Sequence, residues 1–333
     1  MSAGRNIGVI GAGAWGTALA MTAARAGNAV TLWAREPELA RDLNEKRENT
    51  LYLPGYALPE GIRATNDPAD MAGRDIVLLA APAQAARAVC AAFAPHLGEG
   101  TPLVICAKGI ERETGLFPAQ VAAQAAPQVR PFVLSGPSFA ADVAAGLPAA
   151  VTLAGEDIGQ AREIARALSH KAFRLYSSDD PLGAQIGGAM KNVLAIACGI
   201  VEGKGLGDSA RAAVVTRAFA ELTRFGRALG ARAETLNGLS GLGDLMLTAT
   251  SAQSRNYSLG FELGRGRKLK NIMAERRAVT EGVHTAGVAM KIARAHDISM
   301  PICGSVHAIV SGQSDVEGEI TRLLQRPLKD ETE

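Results

Sequence analysis

A glycine-rich loop near the start of the chain constrains the fold more than any other feature of the sequence. Its motif, G-x-G-x-x-G, is formed by Gly11, Gly13 and Gly16. The apolar run at residues 7–10 predicts a buried strand before the loop, residues 15–26 are strong helix formers, and residues 29–34 predict a second strand. A strand, a glycine loop, a helix and a second strand within about 30 residues are typical of a dinucleotide-binding unit.

The three glycines have different expected roles in such a unit. Gly11 allows the tight turn, Gly13 lets the backbone approach a pyrophosphate, and Gly16 brings helix and strand close together. The start of the helix supplies N–H donors and a positive dipole for the phosphates. A tight turn without a ligand is the alternative, but the strand before the loop and the helix after it favour the dinucleotide.

The end of the second strand indicates which dinucleotide is bound. An acidic residue there holds the ribose of NADH, whereas a nearby arginine accommodates the 2′-phosphate of NADPH. Arg35 comes first and Glu36 follows. NADPH is therefore the favoured cofactor, and Glu36 keeps NADH open. In the alternative interpretation, Arg35 is a solvated residue that pairs with Glu36 or Glu38.

The composition excludes several classes of protein. A chain of 333 residues with 47% hydrophobic residues predicts two domains with ordinary cores. A net charge of +2, without a long block of like charges, argues against nucleic acid or an anionic membrane as a partner. The sequence shows no secretory signal pattern and no apolar run of membrane-spanning length, which predicts a cytoplasmic protein without membrane insertion. The cysteines and histidines lack the spacing of metal ligands, so no metal site is predicted.

The fold class that follows is α/β, with an N-terminal Rossmann-like, mostly parallel sheet domain followed by an all-α C-terminal domain. The polar break at 177–181 predicts the boundary between a dinucleotide-binding domain, residues 1–180, and a helical substrate and catalytic domain, residues 181–333. Residues 49–55 are predicted to form a loop. Further strands are predicted at 75–81, 102–107, 132–134, 149–154 and 172–176. Helices of the second domain are predicted at 181–201, 209–229, 241–250, 255–265, 280–295, 301–311 and 315–324.

Two loops that follow predicted strands are candidate ligand sites, because ligands of open parallel sheets bind outside the carboxyl ends of the strands. Lys108 follows one strand, and its cation suits a phosphate or a substrate hydroxyl. Gly136 and Ser138 follow another, where they allow close backbone approach and a hydroxyl contact. The alternatives are a solvated lysine in a turn and an ordinary turn in which Ser138 caps a helix.

A lysine lies in an apolar, glycine-containing stretch of the first predicted helix of the second domain. Lys191 follows Gly187 and Gly188, and Asn192 adds an amide. Burial of an ammonium lowers its pKa toward neutrality, which suits a general acid or base. The paired glycines indicate close approach by another group. Lys191 is therefore the catalytic candidate, and a lysine whose ammonium reaches solvent is the alternative.

A second cluster supports this interpretation. Asp244 lies in a glycine-rich turn, and a further predicted helix begins with Ser254, Arg255 and Asn256. A helix start that carries an arginine is a good phosphate site. The alternatives are a routine turn and an ordinary serine cap beside a solvated arginine. The segment 279–282 is a weaker candidate, since its threonine can simply cap the following helix.

Taken together, these motifs resemble the bacterial NAD(P)-dependent glycerol-3-phosphate dehydrogenases. They run across nearly the whole chain in the family's order, so they are far more specific than the glycine loop alone. The resemblance implies NAD(P)H-dependent, reversible reduction of dihydroxyacetone phosphate to sn-glycerol 3-phosphate, which supplies glycerophospholipid synthesis. The segments that carry it are GAGAWGTALA (11–20), NTLYLPG (49–55), AKGIE (107–111), LSGPSFA (134–140), GGAMKNVLAIACGI (187–200), GLGDLMLTATSAQSRN (241–256) and EGVHTAG (281–287).

The resemblance also implies roles for individual residues. Lys191 transfers the proton, while hydride passes directly from nicotinamide C4 to the ketone carbon. The partner is thus a small molecule, and a homodimer is compatible with the sequence. Beside Gly11, Gly13 and Gly16 of the loop, the implied cofactor contacts are Ala14, Trp15, Arg35, Lys108, Ala140, Arg255, Val279 and Glu281. The implied substrate contacts are Lys108, Gly136, Ser138, Lys191, Asp244, Ser254, Arg255 and Asn256.

The chain departs from the family's pattern in three places, none of which has an implied role. Gln185 and Asp142 each stand where a glutamate is expected, and Ser209 follows Gly-Asp where an asparagine is usual. Two other functions stay open. One is a β-hydroxyacid-type dehydrogenase acting on a small carboxylate, which shares the glycine loop and the helical Lys-Asn pair. The other is a non-catalytic NADPH-binding sensor, in which Lys191 is structural.

Overall fold

The computed structural model describes residues 4–276, 280–328 and 330. Its N-terminal part is organised around a sheet of mostly parallel strands, and the C-terminal part is helical. The strands are β1 Asn6–Ile10, β2 Ala29–Trp33, β3 Glu48–Asn49, β4 Leu53–Ala57, β5 Ile62–Thr65, β6 Ile76–Leu79, β7 Pro102–Ile105, β8 Arg130–Ser135, β9 Ala149–Ala154 and β10 Phe173–Ser178.

The helices cover both faces of this sheet and form the C-terminal part. They are α1 Ala14–Arg25, α2 Pro37–Lys46, α3 Ala86–Phe93, α4 Pro118–Ala125, α5 Ala140–Ala144, α6 Ile158–Leu168, α7 Pro181–Gly203, α8 Asp208–Ala228, α9 Ala233–Asn237, α10 Asp244–Ala249, α11 Arg255–Gly264, α12 Leu269–Glu275, α13 Glu281–Ala295, α14 Pro301–Val310 and α15 Val316–Leu324.

Eight of the described strands form one sheet, in the order β10-β9-β8-β7-β6-β1-β2-β5. Neighbouring strands are parallel except for β8 and β9, which run antiparallel. The central strands are continuous apolar runs because both of their faces are buried; all four residues of β6, for example, are buried. The Rossmann-like sheet and the helical C-terminal part that the sequence predicts are therefore confirmed.

Helix α7 is the central element of the helical part. It packs against α8, α10, α11 and α13, and it also contacts β8 of the sheet. Its length and apolar composition would allow it to cross a membrane, contrary to the prediction that no run reaches that length. However, 94% of its most apolar stretch is buried within the protein, so its apolar residues form a protein core.

Some elements differ from the prediction. Residues 49–55, predicted as a loop, contribute to the short antiparallel pair of β3 and β4, joined by a turn. The edge strand β5 was not predicted, because its four residues alternate without a strong apolar run. The helix predicted at 241–250 begins later, at Asp244, because residues 239–243 form a π-helical turn.

Candidate active site

The candidate site lies where the carboxyl ends of the sheet strands meet the helical part. Lys108 follows β7, and Gly136 follows β8 directly. Facing them, α7 supplies Lys191 and the start of α10 supplies Asp244. The fold therefore brings together four residues that the sequence places in separate motifs.

The buried carboxylate of Asp244 joins the two lysines. Its Oδ1 accepts a hydrogen bond from Lys191 Nζ at 2.5 Å, and its Oδ2 accepts one from Lys108 Nζ at 2.7 Å. The Asp244 side chain is fully buried, whereas the side chains of Lys108 and Lys191 are 16% and 10% exposed. A buried charge of this kind is stable only when paired, and here one carboxylate compensates two ammonium groups. The site thus carries a net positive charge, which favours an anionic ligand.

The pKa of Lys191 is lowered from its usual range to about 8, mainly by burial and to a smaller extent by the charge of Lys108, while the charge of Asp244 acts in the opposite direction. An ammonium with such a pKa is still largely protonated at neutral pH and gives up its proton readily. The glycines before Lys191 explain its close packing. A Cβ at Gly187 would lie 2.2 Å from the carbonyl oxygen of Ser240, and one at Gly188 would lie 2.8 Å from Ser135 Oγ.

Thr248 is a site residue that the sequence argument missed. Its Oγ1 accepts a hydrogen bond from Lys191 Nζ at 3.0 Å, and its side chain is buried. Thr248 lies one helical turn after Asp244 on α10, so both side chains project from the same face. That i, i+4 spacing within the predicted helix was the available signal.

A chain of amide hydrogen bonds connects the remaining motifs. Asn192 donates through Nδ2 to the Lys108 carbonyl oxygen at 3.2 Å and accepts through Oδ1 from Asn256 Nδ2 at 2.9 Å. Asn256 Oδ1 in turn accepts from the backbone N–H of Gly282 at 3.0 Å. Both asparagines are buried, so these hydrogen bonds fix the relative positions of the loop after β7 and helices α7, α11 and α13.

The start of α11 presents Arg255 at the mouth of the site. Ser254 caps this helix, because its Oγ accepts from the backbone N–H of Tyr257 at 3.2 Å. The serine cap of the alternative interpretation is therefore present, and Arg255 beside it is exposed. Among the described residues, no group of three or more histidine, cysteine, aspartate or glutamate side chains could hold a metal ion.

Glu281 lies opposite Arg255 at the start of α13. Removal from water raises the pKa of its carboxyl, whereas the Ala83 N–H, which donates to Oε1 at 3.2 Å, and the Arg255 charge lower it. Glu281 Oε2 is buried and has no hydrogen-bond partner among the described residues. Thr280 occupies the N-cap position of α13 without a side-chain cap. The neighbouring candidate, Val279, lies outside the described residues.

The glycine loop has the geometry that a dinucleotide pyrophosphate requires. Gly11 has a φ of +111°, which favours glycine, and a Cβ at Gly16 would lie 1.8 Å from the Gly11 carbonyl oxygen. Around Gly13, by contrast, a Cβ would meet nothing within 4 Å. No side chain caps the start of α1, so the first N–H groups of the helix face this open space. The residues present therefore fit the cofactor.

The other predicted cofactor residues differ in their position and in their exposure to solvent. Ala14 and Trp15 begin α1, and the buried Trp15 Nε1 has no hydrogen-bond partner among the described residues. Ala140 begins α5, which packs against α1. Arg35 is 81% exposed and pairs with Glu36 at 2.6 Å, as the alternative interpretation expects. Its exposed guanidinium is nevertheless accessible to a ligand.

The loop after β8 is held by the lysine cluster. Gly136 has a φ of +149°, and a Cβ there would lie 2.8 Å from Val151 Cα, so only glycine fits. Its carbonyl oxygen accepts from Lys108 Nζ at 2.9 Å and from Ser138 Oγ at 3.2 Å. Ser138 does not cap α5, whose N-cap position is occupied by Phe139. The cap suggested for Ser138 is therefore wrong, because the loop turns one residue later.

Two family models match the chain in succession. Residues 6–161 match the NAD-dependent glycerol-3-phosphate dehydrogenase N-terminus, and residues 180–321 match the C-terminus of the same family. The chain belongs to the NAD-dependent glycerol-3-phosphate dehydrogenase family. The resemblance inferred from the sequence motifs is thereby confirmed.

Individual members of the glycerol-3-phosphate dehydrogenase family are similar over almost their whole length. The glycerol-3-phosphate dehydrogenase [NAD(P)+] of Parvibaculum lavamentivorans is 56% identical, with 98% of each chain covered. That of Rhodospirillum rubrum is also 56% identical, covering 97% of this chain and 93% of the relative. The crystal structure of the Coxiella burnetii glycerol-3-phosphate dehydrogenase is 37% identical, with a TM-score of 0.92 and coverage of 97% and 99%.

One departure from the pattern of the glycerol-3-phosphate dehydrogenases has a clear structural place. Gln185 on α7 accepts a hydrogen bond from the backbone N–H of Ala119 through Oε1 at 2.8 Å, and it donates through Nε2 to the Pro181 carbonyl oxygen at 3.2 Å. A glutamate could accept the first bond but could not donate the second unless it were protonated. Gln185 therefore joins α7 to the start of α4 without adding a charge. Nothing in the structure explains Asp142 or Ser209.

Proposed function

We propose that this protein reduces dihydroxyacetone phosphate to sn-glycerol 3-phosphate with NADPH or NADH, reversibly, and supplies glycerophospholipid synthesis. The observation that carries the proposal is the Lys191–Asp244–Lys108 cluster at the carboxyl ends of the strands. It combines a proton donor with a net positive charge. The names of the relatives, glycerol-3-phosphate dehydrogenase [NAD(P)+], support the same reaction.

The bound reduced nicotinamide supplies the hydride for the ketone carbon. Lys191 then gives the proton from Nζ to the carbonyl oxygen, so that a secondary alcohol forms and a neutral amine remains. Asp244 and Thr248 fix the position of Nζ through their hydrogen bonds. Lys108, held by Asp244 and the Gly136 carbonyl oxygen, binds the three-carbon body of the substrate.

The remaining roles are proposed residue by residue. Arg255 holds the phosphate at the capped start of α11, where the helix dipole and a guanidinium both favour an anion. The proposed substrate contacts are Lys108, Gly136, Ser138, Lys191, Asp244, Ser254, Arg255 and Asn256. The proposed cofactor contacts are Gly11, Gly13, Ala14, Trp15, Gly16, Arg35, Lys108, Ala140, Arg255, Val279 and Glu281.

The favoured cofactor is NADPH, because Arg35 is the first exposed cation after β2. Its ion pair with Glu36 is exposed and therefore weak, so a 2′-phosphate can compete for the guanidinium. The same Glu36 can accept from the ribose hydroxyl of NADH. We expect both cofactors to be used, with NADPH preferred.

The proposed domain division is a dinucleotide-binding part, residues 1–180, and a helical substrate and catalytic part, residues 181–333. The N-cap of α7 at Asp180 and the start of the C-terminal family match at residue 180 support this boundary. A cytoplasmic location accords with four free, buried cysteines. A homodimer is the oligomeric state to be tested, by light scattering.

The decisive experiment follows the absorbance of NADPH when the purified protein is mixed with dihydroxyacetone phosphate, and repeats it with NADH. Saturable oxidation, with sn-glycerol 3-phosphate as the product, is expected. A small 2-keto acid serves as the control substrate for a hydroxyacid dehydrogenase. Turnover of the keto acid alone would overturn the proposal, and so would tight NADPH binding without turnover of either substrate.

A further inference from the structure

An open surface cavity, outside the proposed active site, lies between α13, α14 and the loop after β7. Its volume is about 310 Å³, which is small for a ligand pocket but sufficient for a compact metabolite. Its basic side chains are those of Arg112, His284, Lys291 and His307. None of its nine lining residues, all within the described part of the chain, belongs to the proposed substrate or cofactor contacts.

The charged residues that line the cavity are all basic. None of these nine residues is acidic, so Arg112 and Lys291 have no anionic partner inside the cavity. His284 and Lys291 lie seven residues apart on α13 and so share one helix face. Three valines, a glycine and Ser311 form the rest of the wall, and the side chains of Arg112 and Lys291 are exposed to solvent. An arrangement of this kind attracts a compact anion.

Hydrogen bonds hold Arg112 at the cavity in a defined position. Its backbone N–H donates to Gln84 Oε1 at 3.0 Å, and Gln84 Nε2 donates to the Ile110 carbonyl oxygen at 2.7 Å. The Arg112 guanidinium donates to His284 Nδ1. This bond requires His284 to carry its proton on Nε2 in the neutral form, so the ring remains a hydrogen-bond donor.

The two imidazoles add a capacity to take up protons. Burial lowers the pKa of His284, and the charge of Arg112 lowers it further. Burial and the charge of Arg294 lower the pKa of His307 in the same way. The nearest carboxylate on α13, that of Glu281, lies one turn earlier and accepts from Ala83 instead. Both rings are therefore neutral near pH 7 while the cavity is empty of anions. A bound anion would favour protonation of His307 directly, whereas protonation of His284 also requires the Arg112 guanidinium to turn from Nδ1 to the anion.

We propose that this cavity binds a small phosphate-class polyanion, such as a pyrophosphate or a compact phosphate ester, separately from the substrate phosphate. Arg112 and Lys291 supply the fixed charge, and His284 and His307 supply hydrogen-bond donors. Helix α13 carries Glu281 of the proposed cofactor site one turn before His284, so an anion here contacts the helix that also lines the active site.

The test is calorimetric titration of the full chain, saturated with NADPH, with inorganic pyrophosphate. Lys291→Ala and His307→Gln should each weaken the binding of pyrophosphate at this cavity by about tenfold or more, because each removes a charged hydrogen bond. Both variants should keep the unmodified kcat and KM. Lys171→Ala removes an exposed positive charge before β10 and serves as the matched control, with unchanged binding.

The Arg255→Ala variant distinguishes this site from the active site. Pyrophosphate binding that survives in Arg255→Ala and is lost on adding Lys291→Ala supports the proposal. Loss of all pyrophosphate binding in Arg255→Ala alone would overturn it, as would unchanged binding in Lys291→Ala and His307→Gln. Absence of dehydrogenase turnover would bear on the active site only, because pyrophosphate binding is measured without substrate.

A pH series gives a second readout. The affinity of the unmodified protein for pyrophosphate, divided by that of the His284→Gln, His307→Gln double variant, should rise as the pH falls from about 8 to about 6, because only the unmodified site takes up protons. Protonation of pyrophosphate itself affects both proteins equally. A ratio that does not change with pH would contradict the assigned role of the imidazoles.

Discussion

Lys191 is the residue on which the proposed chemistry depends most directly. Its Nζ donates hydrogen bonds to Asp244 and Thr248, and its removal leaves Asp244 paired with Lys108. Lys191→Ala should lower kcat by about 10²- to 10⁴-fold, the usual contribution of a general acid. NADPH binding, measured by fluorescence titration, should stay nearly intact. Lys204→Ala removes a lysine just after the same helix and serves as the control. Loss of NADPH binding in Lys191→Ala would contradict the role assigned to Lys191.

The pH dependence of the reaction tests the environment of the same lysine. Reduction needs the protonated form, so kcat/KM should fall as the pH rises through about 8. The negative charge of Asp244 raises the pKa of Lys191. Asp244→Asn removes that charge, so the pH at which kcat/KM falls should decrease by about one unit or more. If kcat/KM fell at the same pH in both proteins, Lys191 would not be the titrating group.

Arg255 is expected to act on binding more than on chemistry. Arg255→Ala should raise the KM for dihydroxyacetone phosphate by about 10- to 100-fold, because a charged hydrogen bond contributes about 1.5–3 kcal/mol. The change in kcat should be smaller. Arg265→Ala, at the other end of α11, removes the same type of side chain from an exposed position and should leave KM unchanged. An unchanged KM in Arg255→Ala would remove this arginine from the phosphate site.

At the scale of elements, the glycine loop offers a matched pair of substitutions. A Cβ at Gly16 would lie 1.8 Å from the Gly11 carbonyl oxygen, whereas one at Gly13 would meet nothing within 4 Å. Gly16→Ala should therefore displace α1 from β1, lower Tm by several degrees and weaken NADPH binding, since such overpacking costs about 1–3 kcal/mol. Gly13→Ala should weaken NADPH binding at an unchanged Tm. Equal effects on Tm would contradict the packing argument.

The same scale shows why the sequence predicts some elements and not others. Apolar runs such as β1 and β6, and long helices such as α7, are set by their own periodicity and were predicted. Edge strand β5 has only one neighbour, β2, and its pairing depends on tertiary position. The same holds for the site. Lys191 and Asp244 were predicted from their unusual sequence surroundings, whereas Thr248 had only its i, i+4 spacing from Asp244, and its role becomes clear through its hydrogen bond with Lys191 on another helix.

At the scale of the molecule, glycines let the helical part close tightly around α7. A Cβ at Gly199 would lie 2.0 Å from the Tyr257 carbonyl oxygen, and one at Gly260 would lie 2.0 Å from that of Ile196. Helices α7 and α11, which carry Lys191 and Arg255, are therefore in close contact although they come from distant parts of the chain. The sequence shows that these glycines exist, but only the fold shows which helices they join.

Glu221 connects the packing of the helical part to pH. Its buried carboxyl accepts from the backbone N–H groups of Ile302 at 2.6 Å and Cys303 at 3.0 Å, at the start of α14. Burial raises the pKa of Glu221 to about 7, although these hydrogen bonds act in the opposite direction. The folded state therefore binds this proton more tightly than the unfolded state, in which the pKa is about 4.3.

The sign of the effect on stability follows from this difference. Between about pH 4.3 and about pH 7, the folded protein carries more protons at this position, so the Glu221 contribution to the free energy of unfolding falls as the pH rises, by an amount on the order of 3 kcal/mol. Glu221→Gln keeps an acceptor for the α14 N–H groups but does not titrate. Denaturant unfolding at several pH values should give a free-energy difference, variant minus unmodified protein, that increases from pH 5 to pH 7 and then levels off. A difference that stays constant would mean that Glu221 ionises normally, because water or local movement solvates it at the start of α14.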